Sequence, residues 1–91
     1  MQIRTTPSFN KILKKLHLNQ IKLLDSAIRE INRAPNAGTL KIGDLNSLRV
    51  YKYQSLAETW LLAYTIKDEW TILLHSVGPH ENFYEKLKRK F

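Results

Sequence analysis

The chain has no cysteine among its 91 residues, and only three glycines, three prolines and one methionine. Without thiols there is no disulfide framework and no thiolate metal site, which suits a reducing compartment. Sparse glycine and proline exclude collagen-like and low-complexity architectures, and no internal repeat or linker interrupts the chain. Long apolar runs are missing too. The segment Trp60–Tyr64 is typical, and far too short to span a bilayer. The opening MQIRTTPSF carries Arg4 and lacks the apolar stretch of a secretory signal. A cytoplasmic protein without membrane association is expected. Acidic residues are also scarce, 8 against 15 Lys and Arg, for a net charge of +7. Such a field attracts polyanions, either nucleic acid or an acidic protein. At 43% hydrophobic and 10% aromatic the chain is too apolar for a disordered basic tail. One folded domain over residues 1–91 follows.

The pattern along the chain changes period once. Gln2 to Thr6 is rich in β-formers and ends at Pro7, which predicts a short strand. Ser8 stands where a helix N-cap is expected, and Phe9, Ile12, Leu13 and Leu16 then share one helical face opposite Lys11, Lys14 and Lys15. Leu18-Asn19 breaks the pattern, with Asn19 as the expected cap of a second helix carrying Ile21, Leu24, Ile28 and Ile31 on one face. Pro35 and Asn36-Ala37-Gly38 end it. Two antiparallel amphipathic helices with a short link are the simplest arrangement. From Thr39 the period is that of strands. Leu48 to Tyr53 alternates, Ser55-Leu56-Ala57-Glu58 reads as a hairpin loop, and Thr59–Ile66 and Trp70–Val77 are apolar runs separated by the turn Lys67-Asp68-Glu69. Gly78-Pro79 closes the last run. In the tail Phe83, Leu87 and Phe91 are spaced by four among Lys86, Lys88, Arg89 and Lys90, giving a short basic helix or a charged end. The expected fold is α+β: two N-terminal helices packed on one face of an antiparallel sheet, in the order β-α-α-β-β-β, with a short C-terminal helix.

The segments IRTTPSFNKILKKL, IREINRAP, KIGDLNSLRVYKY, WLLAYTI and SVGPHENFYEKLKR, in this order, resemble the RelE/ParE toxin superfamily. The most specific stretch is Val77-Gly78-Pro79-His80-Glu81-Asn82-Phe83-Tyr84. The resemblance implies the toxin of a type II toxin–antitoxin system, bound by a cognate antitoxin and reaching operator DNA only as the toxin–antitoxin complex. RelE-like members are endoribonucleases that cleave mRNA at the ribosome and so inhibit translation. The ParE branch poisons DNA gyrase on nearly the same fold, so membership alone leaves the target open. A non-catalytic antitoxin-binding protein is the third reading.

Cleavage of RNA by its own 2′-hydroxyl needs no metal. It needs a proton donor for the departing 5′-oxygen and cations facing the phosphate. His80 occupies a position held by Arg in RelE and His in the YafQ-like branch. Tyr84 matches an aromatic of that branch. Both are expected catalytic, His80 as general acid or phosphate ligand and Tyr84 stacking on a base or aiding proton transfer. The competing role is that His80 caps the tail helix while Tyr84 packs it. Arg49 completes the expected catalytic set, with Tyr51 or Tyr53 on its face of the strand, whereas Val50 and Lys52 share the other face. Lys41 and Lys52 are expected RNA contacts, as are Lys86, Lys88, Arg89 and Lys90, which would bind phosphates without reading sequence. Trp60 could stack on RNA or belong to the core, and Glu81 could orient His80 or cap the tail helix. His75 is expected to be structural and His17 solvated. The spacing of 17, 75 and 80 is not that of metal ligands, so neither metal nor cofactor is expected. Two positions depart from the better-studied sites: Leu61 stands where RelE has Arg, and Thr59 where the YafQ-like branch has an acidic residue.

Overall fold

β1 (Gln2–Thr5) leads directly into α1 (Pro7–Leu13) in a computed structural model that describes residues 1–41 and 47–90. The helix is capped two residues before the expected Ser8. Thr6 is the N-cap, its side chain accepting from the Phe9 N–H at 3.1 Å, and Pro7 takes the first helical position. That arrangement is natural because proline has no N–H to leave unpaired there. α2 (Leu18–Arg33) also begins earlier than expected: His17 is the N-cap residue and its N–H donates to Gln20 Oε1 at 2.9 Å. Asn19 is therefore inside the first turn. A single 3₁₀ turn over Pro35–Ala37 ends this half of the chain.

Four further strands follow, β2 (Thr39–Leu40), β3 (Arg49–Ser55), β4 (Glu58–Asp68) and β5 (Thr71–Pro79), then α3 (Phe83–Lys90). They form one sheet in the order β1-β5-β4-β3-β2. β3 to β5 make the expected antiparallel meander, β2 adds a two-residue antiparallel edge strand that was not expected, and β1 lies parallel to β5, Gln2–Thr5 facing Thr71–Leu74. The last strand starts after Trp70, not at it. Asp68 Oδ1 accepts the Trp70 N–H at 2.8 Å and holds that residue in the turn, with its side chain exposed. A turn that Gly43-Asp44 predicts just after Lys41, and the side chains of Lys90 and Phe91, lie outside the described residues.

The sheet is covered on both faces. Phe9, Leu24, Ala27 and Ile31 from α1 and α2 pack on Trp60, Leu62, Tyr64, Ile72, Leu74 and Val77. On the other face Phe83 and Leu87 of α3 cover Leu48, Val50, Leu61 and Ala63. β4 is thus buried on both sides, which explains its unbroken apolar sequence. In β5 the alternation slips at His75: Ser76 faces Ala63 and Leu74 faces Tyr64, so His75 is the extra residue of a bulge. The slip lets Leu74 and Val77, an odd number of residues apart, point into the same core. Among the described residues no helix is long and apolar enough to cross a membrane.

Candidate nucleic-acid interface

The end of β5 fixes His80. Its N–H continues the ladder past Pro79 by donating to the Thr59 carbonyl at 3.0 Å, and its own carbonyl accepts the Phe83 N–H at 3.2 Å. Between them Asn82 takes a left-handed φ of 59°, which asparagine tolerates better than most residues. This reversal sends α3 back over the sheet and leaves the imidazole exposed at the sheet's rim. Tyr84, in the first turn of α3, meets it edge to face with ring centroids 6.3 Å apart. Phe83 meets Tyr84 from another side at 5.7 Å and anchors the turn in the core.

Alternation along β3 supplies the rest. Val50 and Lys52 point to the α3 face, paired with Ala63 and Leu61, while Arg49, Tyr51 and Tyr53 pair with Tyr64, Leu62 and Trp60 on the other face. Lys41, just after β2, donates its backbone N–H to the Leu48 carbonyl at 2.8 Å and sets its ammonium 5.1 Å from the centre of the Tyr84 ring. The result is a cleft of about 340 Å³ with Val50 and Leu61 in its lining and Lys41, Lys52, His80 and Tyr84 around it. Leu61 is fully buried there. Lys41 and Lys52 are the Lys and Arg residues in the lining of this cleft.

The sequence-expected residues thus divide. His80, Tyr84, Lys41 and Lys52 come together. Arg49 does not. It lies on the opposite face, half-buried, with Nη1 donating to the Gly38 carbonyl at 2.9 Å, so its guanidinium is committed to holding a loop. Tyr51 and Tyr53 stack on each other at 6.4 Å and pack against the α1–α2 core. Burial of Tyr53 pushes its phenol well above the ordinary range. Trp60 is buried in the same core and presents no stacking face. Glu81 is exposed beside His80, together with Glu58, on the outer flank of the rim. It sits two residues before α3 begins. At about 100° per residue, Lys88 follows Tyr84 on the cleft side of α3. Lys86 falls on the other side, lining a groove with Ile12 and Val77, and Arg89 is exposed. Among the described residues no group of His, Asp and Glu is arranged to hold a metal ion.

One cluster was not foreseen. The Tyr64 hydroxyl, buried in β4, accepts the Gly38 N–H at 2.9 Å and donates to the Pro35 carbonyl at 2.6 Å. Burial raises its pKa, against the opposing effect of the Gly38 hydrogen bond, so it stays a phenol able to donate. The available signal was a tyrosine sharing the buried face of Trp60 and Leu62, since a buried hydroxyl needs a partner.

This fold is shared with known toxins. The E. coli toxin RelE in the free state, as a double arginine-to-alanine mutant, matches with a TM-score of 0.74 at 18% identity, over 99% of this chain and 96% of that one. The isolated E. coli RelE toxin matches with a TM-score of 0.66 at 21% identity, over 99% and 98%. A chain of the intact E. coli RelBE toxin–antitoxin complex gives a TM-score of 0.68 at 20% identity, over 88% and 96%. No curated protein sequence matches the chain. The model of the ParE-like toxins of type II bacterial toxin–antitoxin systems matches residues 3–88, and the chain belongs to that family, within the RelE/ParE superfamily.

Proposed function

We propose that this toxin is a metal-independent mRNA endoribonuclease that acts at the ribosome and stops translation. The observation that carries the reading is the exposed imidazole of His80 in one cleft with two lysines and a tyrosine. In this reaction the 2′-oxygen attacks the adjacent phosphorus and loses its proton to water, which reaches the open cleft. The bond from phosphorus to the 5′-oxygen breaks, and His80 gives its proton to that oxygen. Lys41 and Lys52 oppose the charge that builds on the phosphoryl oxygens. Tyr84 holds the neighbouring base or the sugar beside His80. Lys88 continues the basic track beyond it.

Structural similarity to a chain of the RelBE complex supports a cognate antitoxin as partner, its acidic or amphipathic segment covering the basic rim. A second reading is favoured by the family description itself, which is ParE-like. A gyrase poison needs no proton donor. Induced expression of wild type and His80→Ala, with primer extension on a cellular mRNA, separates the two. New cuts with wild type, reduced about 100-fold or more in the variant, are expected of a general acid. Growth arrest without cuts, unchanged in the variant, would replace the nuclease with the gyrase reading.

A further inference from the structure

Lys41 reaches the cleft from a segment with little to hold it. β2 pairs with β3 through two residues, Thr39 with Val50 and Leu40 with Arg49. A ladder that short frays easily. What precedes it is fastened from the far face of the sheet. Tyr64 binds both ends of the 3₁₀ turn, through the Pro35 carbonyl and the Gly38 N–H, and Arg49 takes the Gly38 carbonyl. Both polar groups of the Gly38 backbone are therefore engaged by side chains of the sheet. Contact is so close that a Cβ on Gly38 would lie 2.7 Å from the Tyr64 hydroxyl oxygen and 2.8 Å from its ring. From this anchored glycine the chain runs extended through β2 to Lys41. Lys41 is thus three residues from a fixed point.

Resting on the nuclease reading above, we infer that Tyr64 and Arg49 are positioning residues for catalysis: they clamp Gly38 and thereby hold the Lys41 ammonium at the cleft. Neither touches the substrate. Arg49, whose residue type suggests direct phosphate contact, acts instead through the backbone of the segment that carries Lys41.

The test uses the purified full chain and ribosomes programmed with an mRNA that carries a single cut site. Tyr64→Phe keeps the ring in the core and deletes the hydroxyl. It is expected to lower kcat about tenfold or more with KM little changed, because the displaced lysine acts mainly on transition-state charge. In Lys41→Ala the same hydroxyl has nothing left to position. The double variant is therefore expected to match Lys41→Ala alone, whereas a role in general stability would make the two losses multiply. Arg49→Lys, which still donates to Gly38, is expected to retain more activity than Arg49→Met. NMR gives a readout independent of cleavage. The Lys41 ε-methylene protons, next to an ammonium 5.1 Å from the centre of the Tyr84 ring, are expected upfield in wild type and back at the ordinary position in Tyr64→Phe. If wild type cuts no RNA, the nuclease reading falls while that resonance still decides whether the clamp places Lys41. An unmoved resonance in the folded variant, or losses that multiply, would overturn the inference.

Discussion

His75 shows how a single side chain can be tied to the geometry of a strand. It is the extra residue of the β5 bulge, half-buried, with Nε2 3.0 Å from the Thr65 hydroxyl. A neutral ring can accept from that hydroxyl, whereas an imidazolium cannot. Burial also penalises the charged form and lowers the pKa below the ordinary 6.5. The sign follows: the unfolded chain takes up this proton at a higher pH than the folded one. Stability is therefore full above the unfolded value, falls as pH drops through 6.5, and levels only below the folded value. Denaturant midpoints measured from pH 7.5 down to 5 should decline in wild type, and decline markedly less in His75→Gln. Equal declines would clear His75 of this role. His80, five residues on, differs in everything but residue type: it is exposed at the strand end and faces the cleft. Sequence separated the two positions, one within the strand and one just past its end, because Gly78-Pro79 marked where the buried run stops. It did not place Arg49. Alternation correctly separates Arg49 from Lys52, yet period alone does not say which face of a strand meets the cleft. That depends on where α3 returns, a matter of tertiary packing.

At the scale of elements, legibility tracked the number of repeats of a pattern. α2 was readable from Ile21, Leu24, Ile28 and Ile31 because four apolar residues at helical spacing specify a face, and Leu24 and Ile31 are indeed buried. β2 was not, since two residues carry no period. The parallel partner of β1 was also hidden, because β-formers do not encode their neighbour. α3 was partly readable, and its energetics explain why. It has eight residues, too few to persist alone, and Phe83 and Leu87 are its side chains in the core. Its order therefore depends on docking. Truncating Leu87 to Ala removes half of that anchor. A buried leucine in a fixed element costs about 2–5 kcal/mol on truncation, as expected for Leu62→Ala in doubly covered β4. For Leu87→Ala the global loss should be smaller, because the helix can undock and leave the sheet folded. Hydrogen exchange should then show α3 amides nearly unprotected while β4 amides keep theirs. Protection retained throughout α3 would mean that contacts other than this pair hold it.

For the whole molecule, the net charge of +7 is enough to draw in any polyanion, so binding alone says little about the site. Position distinguishes the contributors. Lys11 in α1 and Lys14 and Lys15 just past its end are exposed, and α1 packs on the opposite face of the sheet from α3. Lys41 and Lys52 line the cleft. All add to the long-range field, but only lysines seated on phosphates release condensed counterions, and each such contact contributes about 0.7 to the salt slope for a single strand. At 0.15 M salt the field is screened over about 8 Å, so measurements from 0.1 M upward isolate the contact contribution. A 2′-O-methylated RNA oligonucleotide blocks cleavage by removing the nucleophile and permits equilibrium titration. Lys52→Ala should weaken its binding and flatten the slope by about 0.7, whereas Lys15→Ala should leave the slope unchanged. Equal flattening by both would describe a molecule coated by RNA over its whole basic surface. Flattening by Lys52→Ala alone would mean that the strand lies in the cleft beside His80, where the proposed chemistry requires it.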